Sequence, residues 1–210
     1  DWSSDVCSSD LSIGNILDPI EIVENYGVDQ LRYYLIKEVS LGNDGSISME
    51  NLKNCINNDL ANNYGNLCQR VFSFIKKNCN NKIPENPNFI DSDKKLLDNL
   101  DNNVPKLINL MNNQDLNEYI KIVVGFSFDA NKYFNDSEPW AVKKINPERM
   151  NTILHTITEQ IKNISILLNP IIPIATEKVL NTLNISVKDI SIDNIKNRNI
   201  LDHNKDLKNL

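Results

Sequence analysis

The spacing of its apolar side chains is the feature that most limits what this chain can fold into. In most segments these residues recur every three or four positions, which places them on one face of an α-helix. The longest series is Met49, Leu52, Ile56, Leu60, Tyr64, Leu67, Val71 and Phe74. Another is Met150, Ile153, Ile157, Ile161, Ile164 and Leu168. Because only 6 residues are glycine, we predict an all-α fold with about five long helices.

Capping residues predict where these helices begin and end. Asp18 followed by Pro19 is typical of a helix start, and Gly27 of a helix end. Asp115 with Glu118 has the spacing of a capping box. The predicted helices span 19–26, 29–38, 48 to about 74, 91–112, 116–135, 147–168 and 174–183. Residues 42–47 are predicted as a turn with a short strand, so the fold class is an antiparallel helix bundle preceded by a small α/β segment.

Charge and cysteine content exclude several kinds of site. The formal net charge of −6 argues against strong non-specific binding to nucleic acid, which depends on Lys and Arg, but not against base-specific contacts. The cysteines show no C-x-x-C spacing, and only 2 histidines accompany them. We therefore expect no metal site, free thiols and a cytoplasmic location. No apolar run is long enough to span a membrane, and no signal peptide is present.

Residues 1–11 form a tandem repeat that does not have the pattern of folded protein. The units Trp-Ser-Ser-Asp-Val and Cys-Ser-Ser-Asp-Leu follow each other and lack helical or strand periodicity. The second unit is the translation of TGC-TCT-TCC-GAT-CT, a sequencing-adapter end. We therefore interpret 1–11 as a non-native leader and expect the native sequence to begin near Ser12, within a longer protein.

Trp140 follows Pro139 at the predicted end of helix 116–135, and this is an unusual place for a tryptophan. Pro139 fixes its own φ and disfavours helical geometry at Glu138. The indole is therefore presented at a corner of the fold. There it could plug the core of the bundle, or it could stack on a planar partner such as an unpaired base.

Asn66 and Arg70 lie four residues apart and are neighbours on one helix face. An amide beside a guanidinium can contact base edges and phosphate. The alternative is a solvated polar pair without function. The sequence contains no Gly-rich phosphate loop and no Ser/His/Asp arrangement, and His155 is interpreted as a packed histidine.

Several segments together resemble the C-terminal part of the methionyl-tRNA synthetases. They occur in the family's order over nearly all of residues 12–210. The N-x-x-x-R and P-W motifs at this separation make the resemblance specific. The matching segments are 12–15 (end of the KMSKS loop), 27–35 (the G-V-D-A-L-R-Y-Y-L helix), 66–70 (N-x-x-x-R), 139–140 (P-W) and 168–173 (L-x-P-x-x-P).

The resemblance implies which residues of this chain contact which ligand. The full-length protein would activate methionine with ATP and Mg²⁺ and transfer it to tRNA(Met). Recognition of the CAU anticodon would involve Asn66, Arg70, Pro139 and Trp140. The remnant of the ATP-binding KMSKS loop would be Ser12, Gly14 and Asn15.

The chain also departs from the family at that loop. Residues 8–12 stand where Lys-Met-Ser-Lys-Ser belongs, and only Ser12 matches. The lysines that would stabilise phosphate charge are absent, as are the HIGH motif and the zinc knuckle. We therefore expect anticodon recognition without either catalytic step.

The resemblance also divides the chain into three parts. The expected parts are the leader (1–11), a remnant of the catalytic domain with its stem-contact region (12–60) and the anticodon-binding bundle (61–210). Two alternatives stay open. One is another class I synthetase of the same bundle type, for leucine, isoleucine, valine or cysteine. The other is a non-catalytic helical interaction module, in which Trp140 would be buried or would meet a protein partner.

Overall fold

The computed structural model describes residues 18–38, 48–85 and 88–209. Strand pairing in this part is limited to one isolated bridge, between Lys82 and Asp206. The all-α prediction is confirmed, and the predicted turn and strand at 42–47 lie outside the described residues. The helices are α1 (Pro19–Tyr26), α2 (Val28–Glu38), α3 (Met49–Cys55), a π-helical segment (Ile56–Gly65), α4 (Asn66–Asn78), α5 (Asp91–Asn112), α6 (Leu116–Asp136), α7 (Pro139–Val142), α8 (Pro147–Leu168) and α9 (Pro173–Thr182).

The predicted caps Asp18 and Asp115 are present in the structure, together with caps at Ser48 and Asn146. The side chains of Asp18, Ser48, Asp115 and Asn146 each accept a hydrogen bond from a backbone N–H in the first turn of the following helix. Such bonds satisfy donors that have no partner within the helix. Gly27 ends α1 with a φ of 100°, a conformation that favours glycine. Local polar residues therefore determine where these helices begin and end.

The long helix predicted from Ser48 contains a π-helical segment, and the buried face shifts there. Ile56 and Leu60 were predicted to face the core, but both are only half-buried, whereas Asp59 and Asn63 are buried. Ile56 and Leu60 still pack against the core. The π-helix, which bonds i to i+5 and has a wider turn than the spacing assumes, adds polar residues to the buried face. Buried polar side chains need partners. Asp59 accepts hydrogen bonds from Tyr33 and Lys37, each at 2.7 Å.

Gly65 ends the π-helical segment. A Cβ at this position would lie 3.0 Å from the Leu60 carbonyl oxygen. A Cβ would be crowded against the backbone there, which favours glycine. The segment then continues directly into α4.

Helix α8 lies at the centre of the bundle, in contact with α4, α5, α6 and α9. Its predicted apolar stripe is buried, but the polar face is buried too, since every residue from Thr152 to Leu168 is buried. The sequence has an apolar and a polar face here, which predicts a polar face in contact with solvent. In the structure other elements cover both faces. Within the helix Lys162 and Glu159, both fully buried, form an ion pair of 2.7 Å. Burial lowers the pKa of Lys162, although Glu159 opposes this shift.

Residues 187–209 cover one side of α8, although the sequence pattern there is weak. Ile195, Leu201 and Leu207 are buried in the core. Lys162 Nζ donates to the Asn197 carbonyl at 2.8 Å, and Arg198 forms an ion pair with Asp101. This segment therefore supplies a partner for Lys162 of α8 and one for Asp101 of α5.

Helix α2 buries a different face from the one that its aliphatic residues mark. Val28 and Leu35 are exposed, whereas Asp29, Tyr33 and Tyr34 are buried. The exposed Arg32 donates to the carbonyls of Ile171 at 2.9 Å and Pro170 at 2.8 Å. Arg32 thus ties α2 to the connection between α8 and α9. No helix within the described ranges is both long and apolar enough to cross a membrane.

Candidate functional site

Arg70 and Trp140, which are distant in the sequence, meet at the ring of Phe134. The Arg70 guanidinium carbon lies 5.2 Å from the Phe134 ring centroid, within the range of a cation–π contact. The Trp140 ring lies 5.9 Å from Phe134, edge to face at 77°, a preferred arrangement for aromatic pairs. One Arg70 Nη also donates to Asn135 Oδ1 at 2.7 Å. We call Arg70, Phe134 and Trp140 the aromatic corner.

The backbone between α6 and α7 determines how Trp140 is presented. Glu138 has a left-handed conformation (φ 39°, ψ 57°) and Pro139 is the first residue of α7. The predicted departure of Glu138 from right-handed helical geometry is confirmed. Pro139 is buried, while Trp140 is 40% exposed. The indole therefore packs on Phe134 with part of its surface and presents the rest to solvent, so it is not a simple core plug.

Asn66 lies one helical turn before Arg70 on α4 and is exposed. It lines a surface groove of about 830 Å³, together with Gln69, Ser73 and Lys76 of the same helix and other residues. The structure thus places Arg70 with Trp140 at Phe134, and places Asn66 in a groove whose lining includes neither Arg70 nor Trp140.

The sequence interpretation missed several residues of this corner. Phe74 contacts Phe134 edge to face at 6.4 Å. Lys143 lies 5.9 Å over the Phe74 ring and donates to Asn78 at 2.9 Å. The signal available was the i,i+4 spacing of Arg70 and Phe74, which places them on one face of α4. Nothing in the spacing indicates that Phe134 lies between them and Trp140.

The sequence segment that contains α4 is positively charged, although the net charge of the chain is −6. Residues 60–84 contain no Asp or Glu. They contain four cationic side chains, Arg70, Lys76, Lys77 and Lys82. Clustered positive charge attracts phosphate.

A buried ion pair anchors the neighbouring part of α6. Tyr133 donates to Asp93 at 2.6 Å, and Arg149 donates two hydrogen bonds to the same carboxylate at 2.5 and 2.8 Å. Burial would raise the pKa of Asp93, but the bonds from Arg149 and Tyr133 outweigh it and hold that pKa below its usual value. This cluster joins the first turn of α5 to α6 and α8, and so helps to fix the helix that carries Phe134.

The predicted ATP-loop residues Ser12, Gly14 and Asn15 lie outside the described residues. In the part of the chain that the structure describes, no three His, Cys, Asp or Glu side chains are grouped as metal ligands.

Two family models match the chain. The model described as "tRNA synthetases class I (M)" matches residues 9–72. The model described as "Anticodon binding domain of methionyl tRNA ligase" matches residues 83–207, which is more than half of the chain. The two matches follow each other along the sequence.

Individual relatives and solved structures agree with these models. The methionine–tRNA ligase of Brucella suis is 43% identical over 172 residues, which cover 82% of this chain and 33% of the relative. That of Rickettsia felis is 34% identical over 191 residues, covering 90% of this chain and 37% of the relative. The chain thus spans about a third of the length of these relatives.

The fold matches that of a solved synthetase over nearly the whole chain. Mycobacterium tuberculosis methionyl-tRNA synthetase in complex with methionyl-adenylate superposes with a TM-score of 0.89 at 32% identity, covering 95% of this chain and 40% of that one. The apo form of that synthetase superposes with a TM-score of 0.86. By family model, sequence identity and fold, the chain belongs to the methionyl-tRNA synthetases, a family of class I aminoacyl-tRNA synthetases.

Proposed function

We propose that this chain recognises the CAU anticodon of tRNA(Met). One observation carries the proposal: Arg70 and Trp140, the residues that the family motifs single out, converge on Phe134 with the Trp140 ring 40% exposed. A partly exposed ring beside a guanidinium suits an unstacked base, because each base has a face that can stack. Membership of a family with an anticodon-binding domain supports the same assignment.

Each proposed residue has its own part in this recognition. Trp140 stacks on a base of the anticodon, and Pro139 sets the direction of the indole. Asn66 supplies an amide that can both donate and accept hydrogen bonds, as base edges require. Arg70 supplies a planar set of donors for a base edge or a phosphate.

Local charge explains how an acidic chain could bind RNA. The acid-free stretch from residue 60 to 84 would attract phosphates where the aromatic corner lies, while the rest of the surface would repel them. Binding would then depend on the bases at this corner more than on non-specific attraction along the RNA.

We propose that the whole protein of which this chain forms part is a methionine–tRNA ligase of the cytoplasm, where tRNA is charged. It would use ATP with Mg²⁺ to activate methionine and would transfer the methionyl group to tRNA(Met). The ATP-loop assignment of Ser12, Gly14 and Asn15 is part of this proposal, as is the division into a catalytic remnant (12–60) and an anticodon-binding bundle (61–210). The support is the family itself.

Titration with RNA hairpins tests the anticodon proposal. The chain is mixed with a methionine tRNA anticodon hairpin that carries CAU, and with hairpins identical except for one changed anticodon base. We expect tight binding to CAU and at least tenfold (about 1.4 kcal/mol) weaker binding to each changed hairpin. Equal affinity for all hairpins would refute the proposal. A preference for another anticodon would point to a different class I synthetase. If no hairpin binds, the chain would instead be a helical interaction module.

A further inference from the structure

Phe134 differs from the other buried residues around the corner in what its ring touches. It is only 2% exposed, yet its ring has a cation and two aromatic side chains as neighbours. The Arg70 guanidinium carbon lies 5.2 Å from its centroid, the Trp140 ring 5.9 Å and the Phe74 ring 6.4 Å. No other ring in the described residues contacts this many of the corner's side chains.

The contacts with Arg70 and Trp140 restrict two side chains that would otherwise move in solvent. Arginine has a long side chain with a large rotamer entropy, and its planar group stacks on aromatic faces. Here the guanidinium is held by the Phe134 ring and by the bond to Asn135 Oδ1 at 2.7 Å. The edge-to-face contact holds the indole of Trp140 in turn. Restricting side chains before binding removes part of the entropy cost of complex formation.

We propose that Phe134 is the positioning residue of this corner, holding Arg70 and Trp140 in the relative orientation that a stacked and hydrogen-bonded nucleobase requires. This inference rests on the proposed function. Phe134 itself is too deeply buried to touch RNA, so it acts through the two side chains on its ring. The class of ligand is an unpaired pyrimidine or purine of single-stranded RNA.

The test compares Phe134→Leu with Phe126→Leu. Phe126 is also on α6 and is 3% exposed, and no aromatic or cation–π contact of its ring is found among the described residues. Both changes remove a buried ring and keep a branched apolar side chain. All variants carry Trp2→Phe, so that Trp140 is the sole tryptophan. Affinity for the CAU hairpin, urea unfolding and the near-ultraviolet circular dichroism of Trp140 are measured for each.

We expect the two variants to lose similar stability but to differ in RNA binding. Phe134→Leu should bind the CAU hairpin about tenfold more weakly than the parent and lose most of the Trp140 dichroism, because stacking on a base requires an ordered ring. Phe126→Leu should keep both. Equal affinities of the two variants, with the parent binding CAU selectively, would overturn the positioning role and leave the proposed function standing.

A double-mutant cycle separates positioning from general packing. If Phe134 acts through Arg70, then Arg70→Ala with Phe134→Leu should weaken binding by less than the product of the two single effects. Full additivity would contradict the proposal. If Phe134→Leu does not fold, Phe134→Met replaces it, since methionine fills irregular space. A parent that binds all hairpins equally refutes the proposed function, and the dichroism then still reports whether Phe134 orders Trp140.

Discussion

At the scale of single residues, Trp140 combines two roles that the sequence left as alternatives. Its ring packs edge to face on the buried Phe134, yet 40% of the residue is exposed. The left-handed Glu138 and the buried Pro139 produce this partial burial of Trp140, because they turn the chain sharply between α6 and α7. Partial burial holds the ring in place, and partial exposure leaves a face for a ligand.

Trp140→Ala should weaken binding to the CAU hairpin by about ten- to a hundredfold, because base–aromatic stacking contributes about 1–3 kcal/mol. Ile145→Ala is the matched control, since Ile145 is 88% exposed and lies only five residues on. It should leave affinity unchanged. Fluorescence anisotropy of a labelled hairpin measures both. Similar affinities for the two variants would mean that the indole does not contact RNA.

At the scale of elements, α8 shows how a helix with an apolar and a polar face becomes buried on both faces, from Thr152 to Leu168. Its polar side chains are covered by neighbouring helices and by the segment 187–209, and most have a partner. Gln160 and Asn163 are exceptions: both are fully buried, and their amide atoms have no hydrogen-bond partner among the described residues. A buried amide without a partner destabilises the fold.

Asn163→Leu should therefore raise the free energy of unfolding by about 1 kcal/mol, because an apolar side chain of similar shape avoids the desolvation cost. Asn131→Leu is the opposite control, since the Asn131 amide donates to Asn63 Oδ1 at 2.9 Å and to the Ser127 carbonyl at 3.0 Å. That variant should be less stable than the parent. Urea unfolding at neutral pH measures both. A loss of stability in Asn163→Leu would indicate that ordered water satisfies the amide.

At the scale of the whole molecule, the segment 187–209 returns to the first half of the chain and closes the bundle. His203 Nδ1 lies 3.3 Å from the Ile83 carbonyl, and His155 Nδ1 lies 3.2 Å from that of Pro84. The two imidazole rings stack at 5.2 Å. Burial lowers the pKa of His155, and this outweighs the opposing effect of Glu159. His155 is therefore neutral in the folded protein at pH values where the unfolded chain begins to bind a proton.

Stability should consequently fall as the pH drops below about 6.5, the usual pKa of an unfolded histidine, by at most about 1.4 kcal/mol per pH unit for His155. The contribution of neutral His155 to the free energy of unfolding is complete above that pH. It is lost as the pH falls toward the lower pKa of His155 in the folded protein. His155→Gln keeps a donor for the Pro84 carbonyl but cannot titrate there. Urea unfolding at about pH 7.5, 6.5 and 5.5 should show a smaller loss in the variant. Identical losses would exclude His155 as the cause.

Local patterns predicted most of the secondary structure, because caps and helix faces depend on residues within about four positions. Asp18 and Asp115 cap the helices that they were expected to cap. The burial of Asp59 and Asn63 was not predicted, because spacing does not reveal a π-helix. The covering of α8 on its polar face was missed as well, because it depends on elements distant in the sequence.

The residue types alone predicted the chemical groups of the candidate site. These are an amide, a guanidinium and a tryptophan after a proline, in the order of the family motifs. Their arrangement was not predicted, because α4 and the α6–α7 turn approach each other only when they pack in the bundle. Phe134, which gives no local signal, is the ring at which Arg70 and Trp140 meet. Residue type and short-range spacing thus determined the elements and the family, whereas long-range packing determined which of those side chains lie together.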